Sequence, residues 1–190
     1  MSDAKRYAVV VADPPWSYRN VRTGGTHRSG AAQKYRTLCA EVIAALPVKA
    51  IAADDAICFL WATVPLLPDA VRVLEAWGFD FKTALLWHKT PGAPGMGFWF
   101  RGAAELVLVG TRGRVPALGC QRSNVIEAPR GRHSAKPAEF WKLINLALAP
   151  HGLKPRIELF CRGHPPPGWD GWGDEAIGGV DLPALKAVPA

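Results

Sequence analysis

The stretch Tyr7-Ala8-Val9-Val10-Val11-Ala12-Asp13-Pro14-Pro15-Trp16 decides how this chain is read. Its first six residues are apolar without alternation, the pattern of a strand buried on both faces of a parallel sheet. The run stops at a carboxylate, two prolines and a tryptophan. That puts Asp13-Pro14-Pro15-Trp16 at a strand's carboxyl end, the edge where open α/β sheets bind ligands. The grouping suits one task, holding a planar base that carries an exocyclic amine. Such an amine has two hydrogens and a lone pair delocalised into the ring. Asp13 can accept one hydrogen and the Pro14 carbonyl the other. Proline fixes φ and lacks an N–H, so the backbone at Pro14 and Pro15 has few competing geometries. Two acceptors draw the nitrogen out of the ring plane and turn its lone pair toward an electrophile. Trp16 offers the base a stacking face, worth about 1–3 kcal/mol. With a sulfonium methyl as electrophile the proton can leave after transfer, so no strong general base is needed. Taken alone, Asp-Pro-Pro also fits a proline-rich turn in which Asp13 is a cap.

At 190 residues the chain is expected to form one domain, 1–190, with a substantial core. A net charge of +7 favours a polyanionic partner. Cys39, Cys58, Cys120 and Cys161 form no C-x-x-C pair and have no histidine cluster beside them, so no metal site is expected. Cys58 and Cys161 lie in apolar runs and read as buried thiols in a reducing cytoplasm. The N-terminus lacks the apolar core of a signal peptide. The most apolar stretch, Ala56 to Leu67, is too short for a bilayer and contains Pro65, so no membrane association is expected.

Further along, residues 17–36 are rich in Gly, Arg, Ser and Thr and read as a long flexible basic loop beside the Asp13 turn. Glu41–Leu46 reads as a helix stopped by Pro47. Ala56–Trp61 is a second buried strand. Leu67, Ala70, Val71, Leu74 and Trp77 mark one face of a helix that ends at Gly78. Phe81–His88 and Glu105–Gly110 are strands with no helix between them, which predicts an antiparallel pair at one sheet edge. Ser123–Ala128 is a short strand, Pro137–Leu148 a helix and Arg156–Cys161 a last strand. Residues 163–173 read as loop and 177–190 as a weakly structured tail. Strands alternating with helices imply an α/β fold, a mostly parallel sheet with helices on both faces.

The ordered motifs are VVVADPPW (Val9–Trp16), YRTL (Tyr35–Leu38), CFLWATV (Cys58–Val64), LLWHKT (Leu85–Thr90), GMGFWFRGAAELVLVGTRG (Gly95–Gly113), HSAKP (His133–Pro137), ELFCRGH (Glu158–His164) and GWDGWGDE (Gly168–Glu175). Together they resemble the N6-adenine methyltransferases named for the seventy-kilodalton subunit of the mRNA adenosine methyltransferase, the MT-A-seventy-like family. The resemblance implies a Rossmann-like class I methyltransferase fold with circularly permuted motif order, and S-adenosylmethionine as cofactor. It implies catalytic roles for Asp13, Pro14, Pro15 and Trp16. It implies cofactor contacts for Asp13, Lys136, Arg162, His164, Asp174 and Glu175, and base or nucleic-acid contacts for Tyr18, Arg28, Lys34, Tyr35 and Trp61. Lys136 has a physical reading of its own: it stands next to a helix N-terminus, where side-chain charge and backbone amides both attract an anion. Asp174 departs from the family, which often has Asn there. The segment that precedes the catalytic strand in the large eukaryotic subunits is expected to be missing, and Asn124 and Val125 are candidates for its contacts to the cofactor's adenine.

The expectation is therefore methyl transfer to N6 of adenine in nucleic acid, DNA before RNA. Arg112, Arg114, Arg122, Arg130 and Arg132 are candidate phosphate contacts that position without reading sequence. Gly95–Arg101 resembles the family's interface loop, which makes a homodimer or heterodimer plausible. The alternatives are RNA adenosine methylation, a non-catalytic nucleic-acid-binding subunit, and cytosine N4 methylation, for which related enzymes more often carry Ser at the position of Asp13.

Overall fold

All six side chains of β1 (Tyr7–Ala12) are buried, as an apolar run at the centre of a two-faced sheet requires. The computed structural model describes residues 5–17, 37–92, 95, 99–131 and 135–185. After β1 come α1 (Ala40–Ala45), α2 (Val48–Ile51), β2 (Ala52–Ala62), α3 (Leu67–Ala76), β3 (Asp80–Lys89) and β4 (Ala104–Arg112). They are followed by β5 (Val125–Ala128), α4 (Ala138–Leu148), β6 (Arg156–Leu159), β7 (Arg162–Gly163), β8 (Asp170–Trp172) and β9 (Glu175–Ala176). Seven strands form one sheet in the order β5-β3-β4-β2-β1-β6-β8, and β7 pairs with β9 apart from it. Strand β4 runs antiparallel to both neighbours, and the remaining pairings in the large sheet are parallel. The expected antiparallel pairing of β3 with β4 is present, but β5 adds outside it, so the pair lies one strand in from the edge.

Alternation along the strands divides the core in two. Val10, Ala12, Cys58 and Leu60 face Ile43 of α1 and Ala70, Val73 and Leu74 of α3. Val9, Val11, Ile57, Phe59 and Trp61 face Phe140, Ile144 and Leu148 of α4. Helix α3 is fastened to α1 by the Trp77 indole, whose Nε1–H donates to the Ile43 carbonyl at 2.9 Å. Gly110 lets the α3 face approach the sheet, since a Cβ there would stand 2.8 Å from Leu74 Cδ2. No described helix is long and apolar enough to cross a membrane.

Two stretches are more ordered than their composition implied. Asp170–Trp172, read as loop, adds to the sheet beside β6, with Glu158 opposite Gly171. A three-residue edge strand among Pro and Gly carries no periodicity. The expected weak tail contributes Leu182 and Leu185 to the core face that holds α1 and α3.

The chain moves from β1 to β2 on one side and reaches β6 on the other. The order of connection therefore reverses at β1, which opens a crevice at the carboxyl ends of β1 and β6.

A test of the local backbone follows from two glycines with similar left-handed φ, +64° at Gly113 and +61° at Gly119. A Cβ on Gly113 would meet the Asp54 carbonyl oxygen at 2.3 Å, whereas one on Gly119 meets nothing within 4 Å. Gly119→Ala should cost about 1–2 kcal/mol, the conformational term alone. Gly113→Ala should cost clearly more, at least about 3 kcal/mol, because backbone must move as well. Equal losses in urea unfolding would refute the assigned β4 exit.

Candidate active site

Asp13 is placed by β1 and tied to β6, its N–H donating to the Leu159 carbonyl at 3.4 Å. The next three residues are pinned by backbone bonds. The Trp16 N–H donates to the Pro14 carbonyl at 2.9 Å, and Leu38 N–H donates to the Pro15 carbonyl at 2.8 Å. A carbonyl has two lone pairs, so Pro14 keeps one acceptor position beyond the Trp16 bond. The Trp16 indole donates to the Trp61 carbonyl at 2.9 Å and is 8% exposed, packed into the core. This corrects the expected stacking face: the ring anchors the turn to β2.

Lys136 stands one residue before Pro137, the N-cap of α4. Its ammonium lies 3.0 Å from Asp13 Oδ1 and 3.1 Å from Glu105 Oε2, and 4.6 Å above the Trp61 ring. The other Glu105 oxygen is bonded by Lys89, whose ammonium lies 4.8 Å above Trp87. Trp61 and Trp87 meet edge to face at 6.0 Å. Four charges of alternating sign thus run along an aromatic floor: Asp13, Lys136, Glu105, Lys89. Burial would push the Glu105 carboxyl up, but the ammonium groups of Lys136 and Lys89 hold it below the ordinary carboxylate value. Burial would likewise lower Lys136, yet Asp13 and Glu105 carry it above the ordinary lysine value. Trp61 is 1% exposed, so it supports the Lys136 ammonium and presents no surface to a base, which corrects its expected substrate contact. Its buried Nε1 has no hydrogen-bond partner among the described residues.

On the same face Glu158 sits in β6, in register with Val11. Burial raises its carboxyl to about 7, with Asp13 adding to the rise and a hydrogen bond from Cys161 opposing it. The Cys161 thiol is pushed up to about 12 by burial and by Glu158. Between them Phe160 takes φ 60°, the one positive value among the described non-glycine residues. Such strain, on the order of 1–2 kcal/mol, is commonly stored where a chain lines a site.

Sequence reasoning missed Glu105 and Glu158, although both fall within the motifs quoted above. The available signal was a carboxylate inside an apolar strand, where an unpaired charge is costly. Of the expected cofactor residues, the structure joins Asp13 and Lys136. Arg162 and Glu175 face each other instead, Nε to Oε1 3.9 Å, across the β7–β9 pair. His164 and Asp174 are exposed on the loops flanking that pair. Tyr18, Arg28, Lys34, Tyr35 and Arg132 lie outside the described residues.

Two groups of expected contact residues lie away from the crevice. Asn124 and Val125 lie at the β5 edge, four strands from β1 and so roughly 19 Å from the crevice. There Asn124 donates to the Ala84 carbonyl at 3.1 Å. Arg112 pairs with Ala56, six residues before Ala62 in β2, and so lies about 20 Å from the edge that holds Asp13. Arg114 follows it there, its N–H on Asp55 Oδ1 at 2.6 Å. Neither arginine stands at the edge that holds Asp13.

The MT-A70 family profile matches residues 7–175. The Type II methyltransferase M.MunI of Mycoplasma sp is 34% identical over 188 residues, covering 90% of this chain and 78% of that protein. The N(6)-adenosine-methyltransferase MT-A70-like protein of Drosophila melanogaster is 31% identical over 184 residues, which is 91% of this chain and 27% of the fly protein. The N(6)-adenosine-methyltransferase catalytic subunit METTL3 of Homo sapiens is 29% identical, over 91% of this chain and 29% of the human protein. The chain thus spans under a third of the length of these two adenosine methyltransferases.

The Glu158 carboxyl yields a pH test. Its value rises from 4.5 to about 7 on folding, so its contribution is fully present below 4.5 and is lost as pH climbs through 7. Wild type should therefore lose stability relative to Glu158→Gln between those limits, by roughly 2–3 kcal/mol. A stability difference that stays flat across the window would show that Glu158 is solvated.

Proposed function

The chain belongs to the MT-A70 family, and we propose that it transfers a methyl group from S-adenosylmethionine to N6 of adenine in nucleic acid, with DNA preferred. The observation that carries the reading is the Lys136 ammonium 3.0 Å from Asp13 at the head of α4, beside the β1–β6 crevice. One residue at this point is suited to an amine and the other to an anion, and the cofactor's methionyl end and the target base require both.

The donor set fits the cofactor. Lys136 has three N–H donors, two directed at carboxylates, and the α4 amides add a partial positive charge. Together they would hold the methionyl carboxylate. Arg162, His164, Asp174 and Glu175 border the same edge and would line the rest of the pocket. The bound cofactor supplies an electrophilic methyl on a sulfonium.

The remaining steps belong to this chain and to the base. Asp13 Oδ2 and the second lone pair of the Pro14 carbonyl accept the two amine hydrogens. The pins on Trp16, Pro14 and Pro15 keep those acceptors from drifting. Held this way, the amine nitrogen would turn pyramidal with its lone pair toward the methyl that the cofactor would supply, leaving the neutral thioether behind, and its surplus proton would pass to water. In a duplex the adenine must first leave the stack, at a cost of a few kcal/mol. The preference for DNA is supported by similarity: the chain is 34% identical to the type II methyltransferase and 29% identical to the human adenosine methyltransferase. An RNA substrate is the second reading, favoured by the names of those adenosine methyltransferases. The intact Asp13 and Lys136 speak against a subunit that only binds.

The deciding experiment is nucleoside mass spectrometry after incubation with S-adenosylmethionine and DNA or RNA of one sequence. N6-methyldeoxyadenosine should exceed N6-methyladenosine. N4-methylcytosine alone, or no methylated nucleoside, would end the proposal. Asp13→Ala should reduce transfer by about two to three orders of magnitude, since it removes an acceptor needed in the transition state. Its calorimetric affinity for S-adenosylhomocysteine should stay within a few fold, and a matching loss would reassign Asp13 to the cofactor. Lys136→Met should weaken that affinity by about tenfold or more.

A further inference from the structure

The Lys89–Glu105 pair stands on the far side of Lys136 from Asp13, along the same sheet edge, and is mostly buried: its side chains are 15% and 19% exposed. Desolvating two charges at a β3–β4 strand end is costly, and an apolar pair would often serve stability as well. What an apolar pair could not do is act on Lys136. Glu105 gives one oxygen to each ammonium, Oε1 to Lys89 and Oε2 to Lys136. It therefore fixes where the Lys136 ammonium stands above Trp61. It also brings a negative charge close to any anion that Lys136 receives, and Lys89 offsets that charge.

We propose that Lys89 and Glu105 are positioning residues for anion capture, Glu105 locating the Lys136 ammonium and Lys89 cancelling the repulsion Glu105 would otherwise exert on an incoming carboxylate. The inference rests on the reading of Lys136 as the partner of the cofactor's methionyl carboxylate. The four residues then form a neutral set into which an anion can be drawn by one ammonium without meeting a net negative wall. Removing Lys89 alone leaves the set with net charge −1. Removing both members of the outer pair restores neutrality and leaves the Asp13–Lys136 contact in place.

Calorimetric titration tests this with two ligands, S-adenosylhomocysteine, which carries the carboxylate, and 5′-methylthioadenosine, which lacks the amino-acid end. Lys89→Met should weaken S-adenosylhomocysteine by about tenfold and leave methylthioadenosine within about twofold. Lys89→Arg, which keeps the charge, should bind both as wild type does. The double variant Lys89→Met, Glu105→Gln should regain affinity for S-adenosylhomocysteine to within about threefold of wild type. The inference is overturned if Lys89→Met weakens both ligands alike, if it weakens neither, or if the double variant is poorer than Lys89→Met. Lys136→Met separates the two levels of argument. If it binds S-adenosylhomocysteine as wild type does, the underlying assignment of Lys136 fails. If it loses affinity while Lys89→Met does not, the positioning inference alone fails.

Discussion

One ammonium group organises the working end of this fold. Lys136 meets Asp13 from β1 and Glu105 from β4 at 3.0 and 3.1 Å, with its side chain 12% exposed. Two carboxylates converging in a poorly hydrated place would repel each other and lose hydration, at a cost of several kcal/mol. The ammonium turns that repulsion into two attractions, and the Trp61 face beneath adds a weaker one. The strand ends, the head of α4 and the aromatic floor meet around this charge.

Topology determines which residues can take part. In the parallel strands, residues that reach the crevice edge must come last: Asp13 after β1, Lys89 at the end of β3. Glu105 reaches the same edge as the second residue of its strand because β4 runs the other way. The same reversal carries Arg112 to the far edge. A single antiparallel strand therefore supplies the acid that holds Lys136 and removes the strand's basic end from the reaction zone.

Much of this was legible before any coordinates. Strand β1, helices α3 and α4 and the β3–β4 pairing follow from apolar runs and helical spacing, which are local properties. The position of Asp13 at a strand end was legible because an apolar run stops there at a carboxylate and two prolines. What escaped was relational. Nothing in the periodicity says that Glu105 and Lys89 share an ion pair, or that Arg112 and Asn124 lie far from the crevice, since strand order sets those distances. On sequence alone, Trp16 offers a stacking face by its place in the turn, and Trp61 a base or nucleic-acid contact by the family resemblance. Yet a large ring next to a core strand gains more by burial, and a buried tryptophan then needs a partner for its N–H. Trp16 finds the Trp61 carbonyl. Strand β8 escaped because three residues, Asp170-Gly171-Trp172, carry too little pattern.

In the proposed reaction Asp13 faces two demands that look incompatible, pairing with a lysine and gripping an amine. A carboxylate resolves them by division. Oδ1 meets the ammonium, while Oδ2 is geometrically separate and keeps its own lone pairs. An asparagine could not divide in this way, because its second terminal atom is a donor and would oppose an amine hydrogen. Serine has one oxygen to serve both demands. The carboxylate at the end of β1 thus follows from the neighbouring lysine as much as from the base. The Pro14–Pro15 backbone can contribute a single fixed carbonyl because the side chain beside it already supplies two acceptors facing different ways.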